Sequence, residues 1–267
     1  MVPTHPTGHP TPYDDVNTIL LLLLAKLQAI LGPQLVGLYL YGSLSLGDFD
    51  PASSDIDFIA ATSQNLPTET LAQLRTMHAN IAASGLPYSN HLEGSYIPVT
   101  ALRRYDPHNS RHPSIGVDWP FQIQEHNYNW IIEYHIVREH GVIVWGPPPQ
   151  TLIDPVPPQA LRESVCKHLK TQWQWRIDDL EWLRPREYQA FAILTLCRAL
   201  YTLQHGTACS KPQAASWAQT TYPHWKPIID RALAWRSQST KDDPTATVAF
   251  LHEALALALT HCSQDDL

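Results

Sequence analysis

Residues 35–58 read LVGLYLYGSLSLGDFDPASSDIDF and carry the clearest structural pattern in the chain. The apolar and aromatic run Leu35–Tyr41 is typical of a buried strand, and Asp55–Ala61 predicts a second one. After Gly42-Ser43 comes a loop of eleven residues that is rich in Gly, Ser, Asp and Pro. The segment therefore predicts two strands joined by a polar loop.

Two carboxylates stand at the start of the second predicted strand. Because strand side chains alternate between faces, Asp55 and Asp57 share one face while Ile56 and Phe58 point into the core. Neighbouring carboxylates repel each other unless a cation lies between them, and Mg²⁺ prefers one or two carboxylates together with substrate phosphate oxygens. An Asp-x-Asp pair alone, however, favours a polar hairpin with two solvated aspartates.

The residues that end the first predicted strand favour the metal interpretation. Gly42 lets a phosphate approach the backbone, and Ser43 offers both a hydroxyl and an amide to it. A Gly-Ser turn followed at this distance by paired carboxylates predicts a magnesium–nucleotide site.

The rest of the N-terminal half predicts a mixed sheet covered by helices. Leucine-rich periodicity between capping acids and Gly32-Pro33 predicts a helix over Asp14–Leu31. A second helix is expected from Pro67-Thr68 to about Ser84, and a third strand over His91–Val99. Residues 105–129, rich in Pro, His and Asn, show no periodicity and predict a long loop that could close over the site.

Beyond a proline cluster at 147–158 the pattern becomes helical. The sequence predicts an α+β protein: residues 1–150 form a domain with a mixed β-sheet and flanking helices, and residues 151–267 form an α-helical bundle domain. The expected helices of the second domain are Gln159–Trp182, Pro185–His205, Lys211–Thr220, Pro227–Trp235 and Thr245–Cys262.

Composition limits the partners and the compartment. The chain of 267 residues has 18 Lys+Arg against 25 Asp+Glu, a net charge of −7, and no Lys/Arg-rich run, so neither nucleic acid nor a membrane is expected to bind. The apolar run Ile19–Ala25 is too short to span a membrane. Four cysteines without a CxxC pair are expected to be reduced in a soluble, cytoplasmic monomer. They are Cys166, Cys197, Cys209 and Cys262.

Leu-Tyr-Gly-Ser at 40–43 and Ser-Asp-Ile-Asp at 54–57 resemble the signature of polymerase-β-type nucleotidyltransferases. More specifically, they are similar to those of aminoglycoside 3''-adenylyltransferases, the streptomycin and spectinomycin resistance enzymes. Further family motifs follow in the same order, among them Leu92-Glu93 and the run Asp154-Pro155-Val156-Pro157. The resemblance extends from about residue 35 to residue 235.

The resemblance implies transfer of AMP from ATP to a hydroxyl of a small, cationic acceptor, with two Mg²⁺ ions and release of pyrophosphate. It implies that residues 1–150 are the nucleotidyltransferase domain and that Asp55 and Asp57 hold the metal. The nucleotide contacts that it implies, shared between the two domains, are Gly42, Ser43, Arg198, Lys211 and Trp235.

Glu93 matches the family's general base. The residue sits in the middle of an otherwise apolar strand, where an unpaired charge is costly, so a role in catalysis or in a buried salt bridge is expected. On the acceptor side the resemblance matches Trp119 and places Glu187 nearby. Arg184 and Tyr188 stand where the family has acidic residues that bind the drug.

Two other functions stay open. The same chemistry on a non-aminoglycoside acceptor is one of them. The other is a non-catalytic nucleotide-binding or toxin–antitoxin-type module, which the presence of Asp55, Asp57 and Glu93 argues against because a binding module has no need of a base.

Overall fold

The computed structural model describes residues 9–174, 176–235 and 240–262. The chain divides into two compact units. The N-terminal unit runs to Asp50 and continues over Ser54–Pro155, and the C-terminal unit takes Pro51–Ser53 and the residues from Val156 onward. The functional roles predicted for domains 1–150 and 151–267 stay predictions.

A six-stranded mixed sheet forms the centre of the N-terminal unit, in the order β5-β4-β3-β2-β1-β6. The pair β2–β3 is parallel, and the other neighbours are antiparallel. The strands are β1 (Leu35–Leu40), β2 (Ile56–Thr62), β3 (Leu92–Pro98), β4 (Arg111–Ile115), β5 (Gln122–Glu125) and β6 (Val142–Trp145). The helices are α1 (Asp14–Leu31), α2 (Gly42–Leu46), α3 (Thr68–Ala82), α4 (Val99–Leu102) and α5 (Trp130–His140).

Helix α1 supplies one side of the hydrophobic core. Its residues Val16, Ile19, Leu20, Leu23 and Leu27 recur at helical spacing and are fully buried in one cluster with side chains of the sheet and of α3. Together with the turn that follows it, α1 is long and apolar enough to cross a membrane by length and composition alone. Packing against the sheet explains this apolar composition.

The α+β fold and the principal predicted elements are confirmed, but two predicted loops are wrong. Residues 42–46 form the short helix α2 instead of opening an irregular loop. Within 105–129, β4 and β5 form an antiparallel hairpin that extends the sheet. The hairpin escaped prediction because its strands carry Pro and His and alternate weakly between polar and apolar side chains.

The C-terminal unit is a helical bundle around α7 (Arg186–His205). Packed on it are α6 (Pro158–His168), α8 (Lys211–Thr221), α9 (Lys226–Ala234) and α10 (Thr245–Thr260). The single helix predicted over Gln159–Trp182 is wrong. It leaves α-helical geometry after His168 and continues as a π-helical turn, Leu169–Trp173, in which both end residues are buried.

The expectation of four reduced cysteines is also wrong. Cys166 of α6 and Cys262, just beyond α10, form a disulfide with an S–S distance of 2.08 Å, whereas Cys197 and Cys209 are free and buried. Cys166 and Cys262 are 96 residues apart in the sequence, so their spacing gives no sign that they pair. Since α6 and α10 both pack on α7, the fold brings the two thiols together.

Candidate active site

The centre of the candidate site is fixed by the register of the parallel pair β2–β3. Asp57 of β2 lies directly opposite Glu93 of β3. Asp55 stands one residue before β2, on the same side as Asp57 by strand alternation. Register therefore places the predicted metal ligands and the predicted base on one face at the start of both strands.

Gly42 lies against Asp57. Its φ of +60° is in the left-handed region, and a Cβ atom at this position would collide with Asp57 Oδ2. The backbone N–H of Tyr41 donates to the Asp57 carbonyl oxygen at 3.1 Å, which ties the end of β1 to β2. Glycine is thus required both by the backbone conformation and by the approach of the carboxylate. Ser43 follows in the first turn of α2.

The site has a strongly negative environment. Burial, followed by the charges of Asp55, Glu133 and Asp118, raises the pKa of Glu93 to about 7. Burial together with Asp57, Glu133 and Glu93 also raises the pKa of the Tyr41 phenol well above its usual value. The carboxylates of Asp55, Asp118 and Glu133 therefore act on that of Glu93, and a bound cation would relieve their repulsion.

The carboxylates suit magnesium with substrate oxygens as the remaining ligands. Asp55 also pairs with His91, whose Nδ1 lies 3.1 Å from Asp55 Oδ1, and both side chains are partly exposed. Over the described ranges, no group of three or more His, Cys, Asp and Glu side chains could hold a metal ion. A site of two carboxylates completed by phosphate and water oxygens is the arrangement that Mg²⁺ usually takes.

Beside Glu93 lies a cavity of about 230 Å³ within the N-terminal unit. Trp119, predicted to contact the acceptor, lines it together with Glu93. Trp119 belongs to the turn of the β4–β5 hairpin, where its carbonyl oxygen accepts from the Gly116 N–H at 3.3 Å. The structure thus brings Gly42, Asp55, Asp57, Glu93 and Trp119 into one neighbourhood.

The other predicted residues belong to the C-terminal unit. Arg198 lies on α7, and its charge acts on the Cys209 thiol. Lys211 opens α8, with its Nζ 5.7 Å from the centre of the Phe191 ring. The Trp235 ring already has two guanidinium groups over it, from Arg186 at 5.1 Å and Arg231 at 5.5 Å.

Glu187 lies in the first turn of α7 and is half-buried. Nothing in its local geometry assigns it to an acceptor, so its role stays a prediction.

Several residues of the neighbourhood were missed from the sequence. Tyr41, Glu133 and Trp130 surround the carboxylates or the cavity. Ser95 could have been found, because strand alternation puts it on the same face as Glu93. His126 offered no signal, since it follows a strand that was predicted as loop.

Comparisons with known proteins show what the chain is similar to. Residues 151–260 match the family model for the C-terminal domain of aminoglycoside adenylyltransferases. An aminoglycoside (3'') (9) adenylyltransferase from Shigella flexneri is 27% identical over 235 residues, covering 80% of this chain and 83% of the relative. The Escherichia coli protein of the same name is also 27% identical over 235 residues, with 80% and 82% covered.

A solved structure has the same fold over most of the chain. It is the crystal structure of spectinomycin adenyltransferase AAD(9) from Enterococcus faecialis with ATP and spectinomycin. It matches with a TM-score of 0.68 and 18% identity, covering 90% of this chain and 98% of that one. The predicted resemblance is confirmed: the chain is similar to aminoglycoside adenylyltransferases over most of its length.

Proposed function

We propose that the chain transfers AMP from ATP to a hydroxyl of a small cationic acceptor, with magnesium and with release of pyrophosphate. The acceptor class rests on the relatives, which are named aminoglycoside (3'') (9) adenylyltransferases, and on the fold neighbour solved with ATP and spectinomycin. Cytoplasmic action as a monomer belongs to the same proposal.

One observation carries the proposal: Asp57 and Glu93 are register partners on adjacent parallel strands. Nucleotidyl transfer needs a metal-binding carboxylate beside a base, so that the nucleotide phosphate and the acceptor hydroxyl meet. Buried acidic side chains in this arrangement are costly without a cation or a proton, and the raised pKa of Glu93 reflects that cost.

Each residue then has a defined task. Magnesium held by Asp55 and Asp57 would neutralise the triphosphate and favour departure of pyrophosphate. The Gly42–Ser43 turn contacts phosphate oxygens, and Glu93 accepts the proton of the acceptor hydroxyl as its oxygen attacks the α-phosphorus.

The C-terminal unit is proposed to complete nucleotide binding. Arg198 and Lys211 neutralise the triphosphate, and Trp235 contacts the base. Since guanidinium groups already lie over the Trp235 ring, the base would have to share that ring or displace one of them.

A different acceptor is the second candidate. The residues that replace the family's acids at the start of α7 do not form an anionic surface. Arg184 is exposed and pairs with Glu181 at 2.9 Å, and Tyr188 is 40% exposed and stacks on Trp182 at 5.6 Å. This surface would attract a polycation less strongly than acidic residues do.

A screen of acceptors tests the proposal. Pyrophosphate release from ATP would be measured with streptomycin, spectinomycin and other aminoglycosides, and the adenylylated product identified by mass spectrometry. We expect one of them to be modified, and Glu93→Gln to lower the single-turnover rate by about 10²–10⁴ while ATP·Mg affinity changes little.

Glu69→Gln, an exposed acid in the first turn of α3, is the matched control and keeps the wild-type rate. Wild-type turnover in a folded Glu93→Gln protein would contradict the assignment of Glu93 as the base. Absence of any transfer to these compounds would exclude aminoglycosides as acceptors.

A further inference from the structure

A cluster of buried polar side chains borders the cavity beside Glu93. Ser95 Oγ lies 2.8 Å from Ser114 Oγ, and His126 Nε2 lies 3.2 Å and 3.3 Å from these two hydroxyls. Each of the three residues is only 2% exposed. All three line the cavity, so one wall of it is polar although these side chains are almost completely shielded from bulk water.

The cluster is rigidly placed by the sheet. Ser95 of β3 and Ser114 of β4 are register partners, and the backbone N–H of His126 donates to the Ser110 carbonyl oxygen at 2.7 Å. The His126 ring stacks parallel on Trp130, with 3.5 Å between the ring centres. Because the contacts come from β3, β4 and α5, the wall keeps its shape without a ligand.

The hydrogen bonding of His126 is incomplete. Its Nδ1 is buried and has no hydrogen-bond partner within the described part of the chain. Leaving such an atom unsatisfied is costly, so natural proteins keep one where water or a ligand completes it. Burial also lowers the pKa of His126 to about 3, which keeps the ring neutral, able both to donate and to accept.

The size of the cavity limits what it can hold. At about 230 Å³ it is smaller than the roughly 300–1,000 Å³ pockets that enclose whole drug-sized ligands. It has room for a single ring, with the rest of a larger molecule outside. The aromatic rings of Trp119 and Trp130 suit the C–H surfaces of a saturated ring, and Glu93 and Glu125 suit its ammonium or hydroxyl groups.

We propose that Ser95, Ser114 and His126 form the hydrogen-bonding wall of an acceptor subsite that binds one saturated, hydroxyl- and amino-bearing ring and turns a hydroxyl of that ring toward Glu93. This inference rests on the proposed function for the identity of the reaction. It adds specificity-determining residues that act on acceptor binding and leave nucleotide binding alone.

Two variants and one control test the subsite. Ser114→Ala removes one hydroxyl, and His126→Phe removes both ring nitrogens while keeping a ring to stack on Trp130. Ser110→Ala is the control, because Ser110 is equally buried near β4 but donates to the Pro107 carbonyl oxygen and does not line the cavity. Melting temperatures establish that all three proteins fold.

The probes are spectinomycin, streptomycin and ATP·Mg, each titrated separately by calorimetry. We expect wild type to bind at least one aminocyclitol compound, and Ser114→Ala and His126→Phe to weaken that affinity by about tenfold or more. ATP·Mg affinity should be unchanged in both variants, and Ser110→Ala should match wild type with every probe. In turnover assays the acceptor KM should rise in the two variants while the ATP KM stays constant.

The possible results distinguish failure of the subsite proposal from failure of the proposed function. Unchanged aminocyclitol affinity in both folded variants overturns the subsite, and so does failure of wild type to bind either compound. Equal weakening of ATP·Mg and acceptor binding overturns it as well, because a general structural role would then suffice. If wild type does not bind ATP·Mg, the proposed function is refuted. Weakened aminocyclitol binding in the variants would still support the subsite in that case.

Discussion

Comparing Gly42→Ala with Gly47→Ala distinguishes the effect of backbone strain from the effect of displacing the Asp57 carboxylate. Gly42 has a φ of +60°, and its missing Cβ leaves the space that Asp57 Oδ2 occupies. Gly47, at the other end of α2, has a φ of +70° but nothing within 4 Å of the position of a Cβ atom. An alanine at either position would therefore be strained by the positive φ, but only at position 42 would its Cβ atom collide with Asp57.

The expected magnitudes follow from that difference. A non-glycine residue in the left-handed region costs roughly 1–2 kcal/mol, so Gly47→Ala should lower the free energy of unfolding by about that amount. Gly42→Ala should lose the same amount and in addition displace the Asp57 carboxylate. Changes that disturb the orientation of a metal ligand cost about 10–100-fold in metal affinity. We expect ATP·Mg affinity to fall by that factor in Gly42→Ala alone.

The assay pairs urea unfolding with calorimetric titration of ATP in the presence and absence of magnesium. Gly47→Ala should be destabilised and bind ATP·Mg like wild type. If folded Gly42→Ala also binds ATP·Mg like wild type, Asp57 has no role in holding the metal–nucleotide complex. If both variants lose affinity equally, strain in α2 is the cause and the collision with Asp57 is irrelevant.

Three further changes have defined outcomes. Asp55→Asn should abolish magnesium-dependent ATP binding, as measured by titration, without lowering the melting temperature; normal binding would contradict its assignment as a metal ligand. Burial lowers the pKa of His78 from 6.5 to about 4, so its contribution to stability is complete above pH 6.5 and lost as the pH falls to about 4. The loss amounts to about 3 kcal/mol in urea unfolding and should be absent in His78→Gln, which no longer titrates; equal acid sensitivity of the two proteins would contradict it. Thiol titration of the denatured, unreduced protein should find two thiols, and four after reduction, because Cys166 and Cys262 are paired; four thiols before reduction would refute the bond.

Much of the candidate site could be predicted because its residues are close in sequence or obey alternation. Asp55 and Asp57 follow from a strand pattern that is local, and the buried Ile56 and Phe58 confirm the predicted face. The match of Glu93 to a base came from the resemblance, whereas its pairing with Asp57 required the parallel register, which local periodicity does not contain.

The features that could not be predicted depend on contacts between segments that are far apart in the sequence. The wall formed by Ser95, Ser114 and His126 exists only because β4 and β5 join the sheet, and their polar sequence gives a weak strand signal. The disulfide likewise depends on how α6 and α10 pack on α7. Neither can be read from spacing, because nothing in the chain between the partners fixes their distance.

The parallel pairing of β2 and β3 also determines where the chain can be altered. Asp57 and Glu93 are held opposite each other by strand hydrogen bonds, and the pairing on the β3 side begins at His91, whose carbonyl oxygen accepts from the Ile56 N–H at 2.7 Å. Gly85 lies in the connection between β2 and β3, exposed and with nothing within 4 Å of the position of a Cβ atom. Exposed loop tips of this kind tolerate inserted domains and new chain ends. A reporter domain or a circular permutation at Gly85 would therefore leave the carboxylate pair aligned, and the chain could be engineered there without redesigning the proposed catalytic centre.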